Sequence, residues 1–309
     1  MNSTAEHLER TRAAMAAAEV DLLVLGREAN ARYVSGAHRL WLAGTRPFAP
    51  GCVVVRDTGA VHLLSVTDDG VPAAVPPERL YPITWNPMNL MAAVGAAAAS
   101  GTVRRIGVDG LSPLFQQLFA AVFPDTQLVD GEELLRDVRR VKSPDDVAAI
   151  RGAITVAEDA TATVRAAAVS DASPAELRGM FFERMARLGV TTLAFEPEIR
   201  RVGGDWTLCA GVIRDGWEGS LARTWPGASP ARAVVAAALD GCRPGTTVAE
   251  VEARGVRVDG VGLGHEELFG GDVLAAGMVI FVEATVDDRV HGDTVWVTDD
   301  GPEVLTTQA

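Results

Sequence analysis

Apolar residues recur at helical spacing over residues 4–19, and the run Asp21-Leu-Leu-Val-Leu-Gly26 that follows is continuously apolar and closed by glycine. This pattern predicts a helix feeding a buried strand. Shorter apolar runs predict strands over 52–55, 61–66, 105–108 and 127–129, with Asp57-Thr-Gly59 as the turn between the first two. Helical periodicity over 90–99, 113–123 and 132–139 alternates with them, so the first half reads as an α/β layer domain.

The pattern breaks at Val141-Lys-Ser-Pro-Asp-Asp146, where Ser143 can cap a helix, Pro144 suits its first turn, and Asp145 and Asp146 complement its positive end. A second domain starts here on this reading, giving domains 1–140 and 141–309. Its helices are expected over 144–168 and 174–188, the latter opened by Ser173 with Glu176 three residues on. Beyond Gly189 the pattern turns to strands, over 193–201, 206–214, 220–225, 256–262, 278–285 and 293–298, with one helix at 230–239. The expected class is α/β in the first half and α+β in the second.

Charge narrows the partners. The net charge of −13, without a basic stripe, argues against nucleic acid or an anionic membrane and leaves a small molecule or short peptide. No apolar run reaches transmembrane length and residues 1–12 do not read as a signal peptide, so a cytoplasmic location is expected. Cys52, Cys209 and Cys242 are too few and too scattered for a disulfide framework or a zinc ribbon. Lys142, the single lysine, falls in what reads as a linker, which argues against Schiff-base chemistry.

Several stretches, taken in order, resemble the creatinase, prolidase and aminopeptidase P superfamily. They are the amino-terminal Asp21-Leu-Leu-Val-Leu-Gly26 and Ala31-Arg-Tyr-Val-Ser-Gly36, the linker Arg140-Val-Lys-Ser143, then Asp215-Gly-Trp217 with Leu221-Ala-Arg-Thr-Trp225 and Gly260-Val-Gly-Leu-Gly264. Gly277-Met-Val279 leading to Glu283 and the string Val297-Thr-Asp-Asp-Gly-Pro-Glu-Val-Leu-Thr306 complete the order. The resemblance implies a creatinase-like amino-terminal domain followed by a pita-bread domain, compact through internal deletions, and a homodimer in which one chain's first domain shapes the other's pocket.

Metallopeptidases of this superfamily hold two divalent ions with two aspartates, a histidine and two glutamates, because hard cations need several anionic oxygens. Anchored on the matching motifs, the resemblance puts the corresponding positions at Cys209, or Ala210 if the turn differs by one residue, and at Ser220, Val261, Glu283 and Gly292. Glu283 alone keeps a ligand of the expected kind, so neither a metal nor another cofactor is expected. His291 and Asp293 flank Gly292 but point to the other face of a strand.

What remains for chemistry is Glu283 and the string His265-Glu-Glu267, which resembles the superfamily's substrate-facing pair when a gap of three residues is allowed. His265 and Glu266 then join Glu283 as proton-transfer candidates, and an exposed polar loop is the alternative. Arg223, Trp217, Cys209 and Ser220 are candidates for substrate contact, with structural roles open to each. The functional expectation is a metal-independent enzyme acting on a small amide, amidine or amino-acid-like molecule. The alternative is an inactive peptidase descendant that binds a peptide or protein.

Overall fold

The computed structural model describes residues 3–37, 49–64, 70–84, 86–99, 102–168, 172–227, 229–266 and 268–307, and divides into two compact units, 1–139 and 140–309.

In the first unit α1 (Ser3–Ala17) leads into β1 (Leu22–Leu25), all four residues of which are buried. Then come α2 (Glu28–Ser35), the hairpin strands β2 (Cys52–Val55) and β3 (Ala60–Leu64), β4 (Leu80–Tyr81), α3 (Pro87–Ala98), β5 (Arg105–Val108), α4 (Pro113–Val122), β6 (Gln127–Asp130) and α5 (Gly131–Arg140). The sheet runs β4-β3-β2-β1-β5-β6, and β1, β5 and β6 are parallel because helices cross between them. Continuous apolar strands suit such a sheet, buried on both faces. Helix α2 is not predicted by periodicity. The predicted strand at 61–66 ends at Leu64, its last two residues lying outside the described ones.

The second unit opens with α6 (Pro144–Ala167) and α7 (Pro174–Arg187), each starting in a reciprocal capping box, Ser143 with Asp146 and Ser173 with Glu176. Val147, Ile150, Ile154, Ala157, Thr161 and Val164 form the buried stripe of α6. That stripe packs on the hairpin of β8 (Asp205–Arg214) and β9 (Trp217–Trp225), which follows β7 (Thr192–Val202). The hairpin turns through Asp215 and Gly216, both at positive φ. Close approach has a local reason: Gly219 lies on the α6 backbone at Ala153 and Ile154, where any Cβ would overlap.

After α8 (Ala231–Leu239) and α9 (Val248–Glu252) come β10 (Arg257–Gly262), β11 (Gly264–Glu266), β12 (Val279–Val286), β13 (Arg289–Thr298) and β14 (Gly301–Val304). The order is β11-β10-β12-β13-β9-β8-β7, with β14 beside β13, and the pairings are antiparallel. Several segments differ from expectation: α9 and β14 are not predicted, and β13 begins at Arg289 rather than 293. The strand predicted from 220 begins at Trp217, and the string at 264–266 is a strand paired with β10.

Candidate functional site

Alternation along the β8–β9 hairpin divides its side chains between two faces. Leu208, Ala210, Val212 and Leu221 pack into the core beneath α6 and α7. Cys209, Gly211, Ser220 and Ala222 therefore share the opposite face, Cys209 standing across from Ala222 and Gly211 from Ser220. Beside them, β10 and β12 bring Arg257 opposite Glu283 and Asp259 opposite Phe281.

These strands enclose a cavity of about 590 Å³. In its wall five carboxylates, of Glu196, Glu198, Glu218, Asp259 and Glu283, face two guanidinium groups, of Arg200 and Arg257. Arg257 is shared between two partners, its Nε 2.8 Å from an Asp259 oxygen and its Nη2 3.5 Å from Glu283 Oε2. The Cys209 thiol donates to the same Glu283 oxygen at 3.5 Å. Burial raises the Glu283 pKa above the usual carboxylate range, and Asp259 and Glu198 push it the same way, against the pull of Arg257 and Cys209. Burial, with Glu283 beside it, also pushes the Cys209 thiol far up, so it stays protonated and is no thiolate nucleophile.

The floor of this face is apolar. Ala222, Val261, Val279 and Phe281 belong to one buried cluster with Ile150 and Leu305, against which Cys209, Trp217 and Trp296 pack. Gly292, paired with both Glu283 and Ala222, has the Phe281 ring directly before it: a Cβ there would stand 2.6 Å from the ring's Cζ and 3.1 Å from the Ala222 Cβ.

The candidate residues thus have different fates. Glu283 and Cys209 line the cavity. Glu266, expected beside Glu283, is instead enclosed, 2.5 Å from Lys142 Nζ, and is not among the cavity residues. The reason is β11: pairing Glu266 with Gly260 turns its side chain over Gly260 and Gly262, toward the chain segment carrying Lys142. Lys142 does lie between α5 and α6, at the expected linker, but its side chain is buried. The backbone of His265 pairs with Val261, and its side chain lies outside the described residues.

Arg223 is committed to structure. Its guanidinium donates to the carbonyls of Ala222, Gly292 and Thr307 and lies 2.9 Å from Asp293 Oδ1. Burial alone would raise Asp293, but His291, Arg223 and Thr306 more than offset it and hold the carboxyl at about 2. Ser220 donates to Glu218 at 2.6 Å, so it orients a cavity carboxylate without lining the cavity. Trp217 packs on the apolar cluster. Among the described residues no group of three or more His, Cys, Asp or Glu is placed to hold a metal ion, and no helix is long and apolar enough to cross a membrane.

Residues 7–141 match the model of the creatinase/prolidase N-terminal domain. The first unit is a creatinase/prolidase N-terminal domain. The whole chain has the prolidase fold, in which that domain precedes a pita-bread domain. It superposes on the prolidase from Pyrococcus horikoshii OT3 with a TM-score of 0.77 at 16% identity, covering 98% of this chain and 99% of that one. The Xaa-Pro dipeptidase from Bacillus anthracis gives 0.78 at 16% identity over 99% and 98% of the two chains. Dipeptidase PepE from Mycobacterium ulcerans gives 0.70 at 20% identity over 99% and 96%. Among curated proteins none matches the chain by sequence.

Within this prolidase fold, sequence reasoning missed Glu198, Arg257, Asp259 and Phe281 as cavity residues. A signal was present for two of them. Arg257 and Asp259 alternate with Val261 on one strand, so whatever face Val261 occupies, they share it.

Proposed function

We propose that this chain is a non-hydrolytic binding protein on the prolidase fold, whose acidic cavity takes a cationic small molecule or the amino terminus of a short peptide. The observation that carries the reading is the Phe281 ring packed against Gly292, beside Val261 and Ala222, because the resemblance puts two metal ligands at Val261 and Gly292. The donor set does not fit a dinuclear centre: a protonated thiol, a serine hydroxyl spent on Glu218, an isopropyl group and a glycine accompany one carboxylate. The ligand class follows from charge, since carboxylates outnumber guanidinium groups around the cavity and only one of them, Asp259, has an Arg257 contact as short as 2.8 Å.

A second reading, a metal-independent enzyme for a small amide or amidine, is favoured by one feature. Glu283 faces the cavity, and burial shifts its pKa upward, the direction in which a carboxyl general acid or base is tuned. It has lost Glu266 as a partner.

Thermal-shift titration with arginine amide, benzamidine and Xaa-Pro dipeptides tests both readings, as a ligand of the native state raises the melting temperature. Binding proposes itself if a cationic probe raises it, the shift falls in Glu283→Gln, and the probe is recovered intact. Recovery of a chemically converted probe favours the enzyme. Hydrolysis of Xaa-Pro dipeptides together with stoichiometric manganese, cobalt or zinc overturns both.

A further inference from the structure

A second cavity in the same unit shares no residue with the acidic one. It holds about 330 Å³ between α6, the end of β9 and the start of α8. Its chemistry is the reverse. Arg165 on α6 and Arg232 on α8 are exposed at its wall, and neither guanidinium group makes a hydrogen bond or ion pair with the described residues. Arg223 also lines it but is neutralised by Asp293. One carboxylate, Glu158, is in the wall, accepting the main-chain N–H of Thr307.

Two buried polar groups in this wall lack partners. Trp225 is 6% exposed and Ser229 8% exposed, and neither the indole Nε1 nor the serine Oγ has a hydrogen-bond partner among the described residues. An enclosed donor without an acceptor costs the full desolvation of that group, which is why native structures rarely leave one unfilled. The indole N–H can only donate, so what it lacks is an acceptor. Ser229 lies one residue before Pro230, the N-cap of α8, which makes no side-chain cap, and Ser229 and Arg232 put the helix's positive end at this wall. Two uncommitted guanidinium groups and a helix amino terminus bring positive charge to this space, and the orphaned indole and hydroxyl groups lie in its wall.

We propose that this cavity binds an organic anion, with its carboxylate or phosphate group held by Arg165, Arg232, Trp225 and Ser229. The apolar wall of Leu221 and Pro226 accepts the rest of the molecule. The site is independent of the acidic cavity, so either can stand without the other.

Calorimetric titration of the full chain with inorganic phosphate, phenyl phosphate and benzoate, with benzyl alcohol as the neutral control, tests the proposal. At least one anion should bind, and the neutral control should not. Tighter binding of phenyl phosphate than benzoate assigns the phosphate, and the reverse order assigns the carboxylate. The double variant Arg165→Glu/Arg232→Glu changes exposed side chains and should fold normally while losing binding. Trp225→Phe keeps the ring and removes the donor, and should weaken binding about tenfold or more. Glu283→Gln should leave anion binding unchanged. The proposal fails if no anion binds below about 10 mM, or if binding persists undiminished in the arginine double variant.

Discussion

Glu266 and Glu283 sit on strands of one sheet, both within reach of β10, and both meet a basic side chain. Their surroundings separate them. Glu266 is enclosed with Lys142, side chains only 4% and 1% exposed, at 2.5 Å. Glu283 stands in the wall of an open cavity, 3.5 Å from an Arg257 that is mostly exposed and nearer to Asp259. A charge sealed beside its partner holds strands together and is spent doing so. A charge left half-desolvated beside a divided partner keeps both an interaction to offer and a perturbed proton affinity.

The largest test of that contrast is Lys142→Met. It strands the Glu266 carboxylate in the interior and should cost about 3–5 kcal/mol in urea unfolding, with most of the loss recovered in Lys142→Met/Glu266→Leu. A loss below 1 kcal/mol would mean that the pair is solvated and that Glu266 resembles Glu283 after all. Asp293, buried with Arg223 and His291, gives an intermediate effect. Its pKa is lowered from 3.8 to about 2, so the stability it contributes is present above 3.8 and lost as pH falls through about 2. Asp293→Asn should therefore lose roughly 2 kcal/mol at neutral pH, by the linkage of about 1.4 kcal/mol per unit, and flatten the acid limb of the stability profile. Glu283→Gln should have the smallest effect and the opposite sign. A raised carboxyl costs stability as pH climbs from 4.5 through its folded value, so the variant should gain slightly on the wild type over that window and above it. A variant that loses stability there would show Glu283 to be structural, as Glu266 is.

Local chemistry made much of the fold legible. The Ser143 and Ser173 caps, each with an acidic residue three positions on, mark helix starts because capping is completed within one turn. The β2–β3 turn and the apolar β1 are equally local. Strand β11 was hidden because three residues carry no period, and with it went the direction of Glu266. The burial of Lys142 is equally illegible locally, because its partner is 124 residues away.

The sequence by itself determined the two-part order of elements, the capped starts of α6 and α7, and the sharing of one strand face by Arg257, Asp259 and Val261. Those follow from periodicity and side-chain identity. Only the tertiary structure decided that Phe281 fills the space before Gly292, that Arg223 serves Asp293, and that Arg257 and Asp259 join Glu283 in one cavity. Alternation says which residues of a strand share a face. Which distant strands bring their faces together is fixed by pairing register and packing across the whole sheet, and no short stretch of chain contains it.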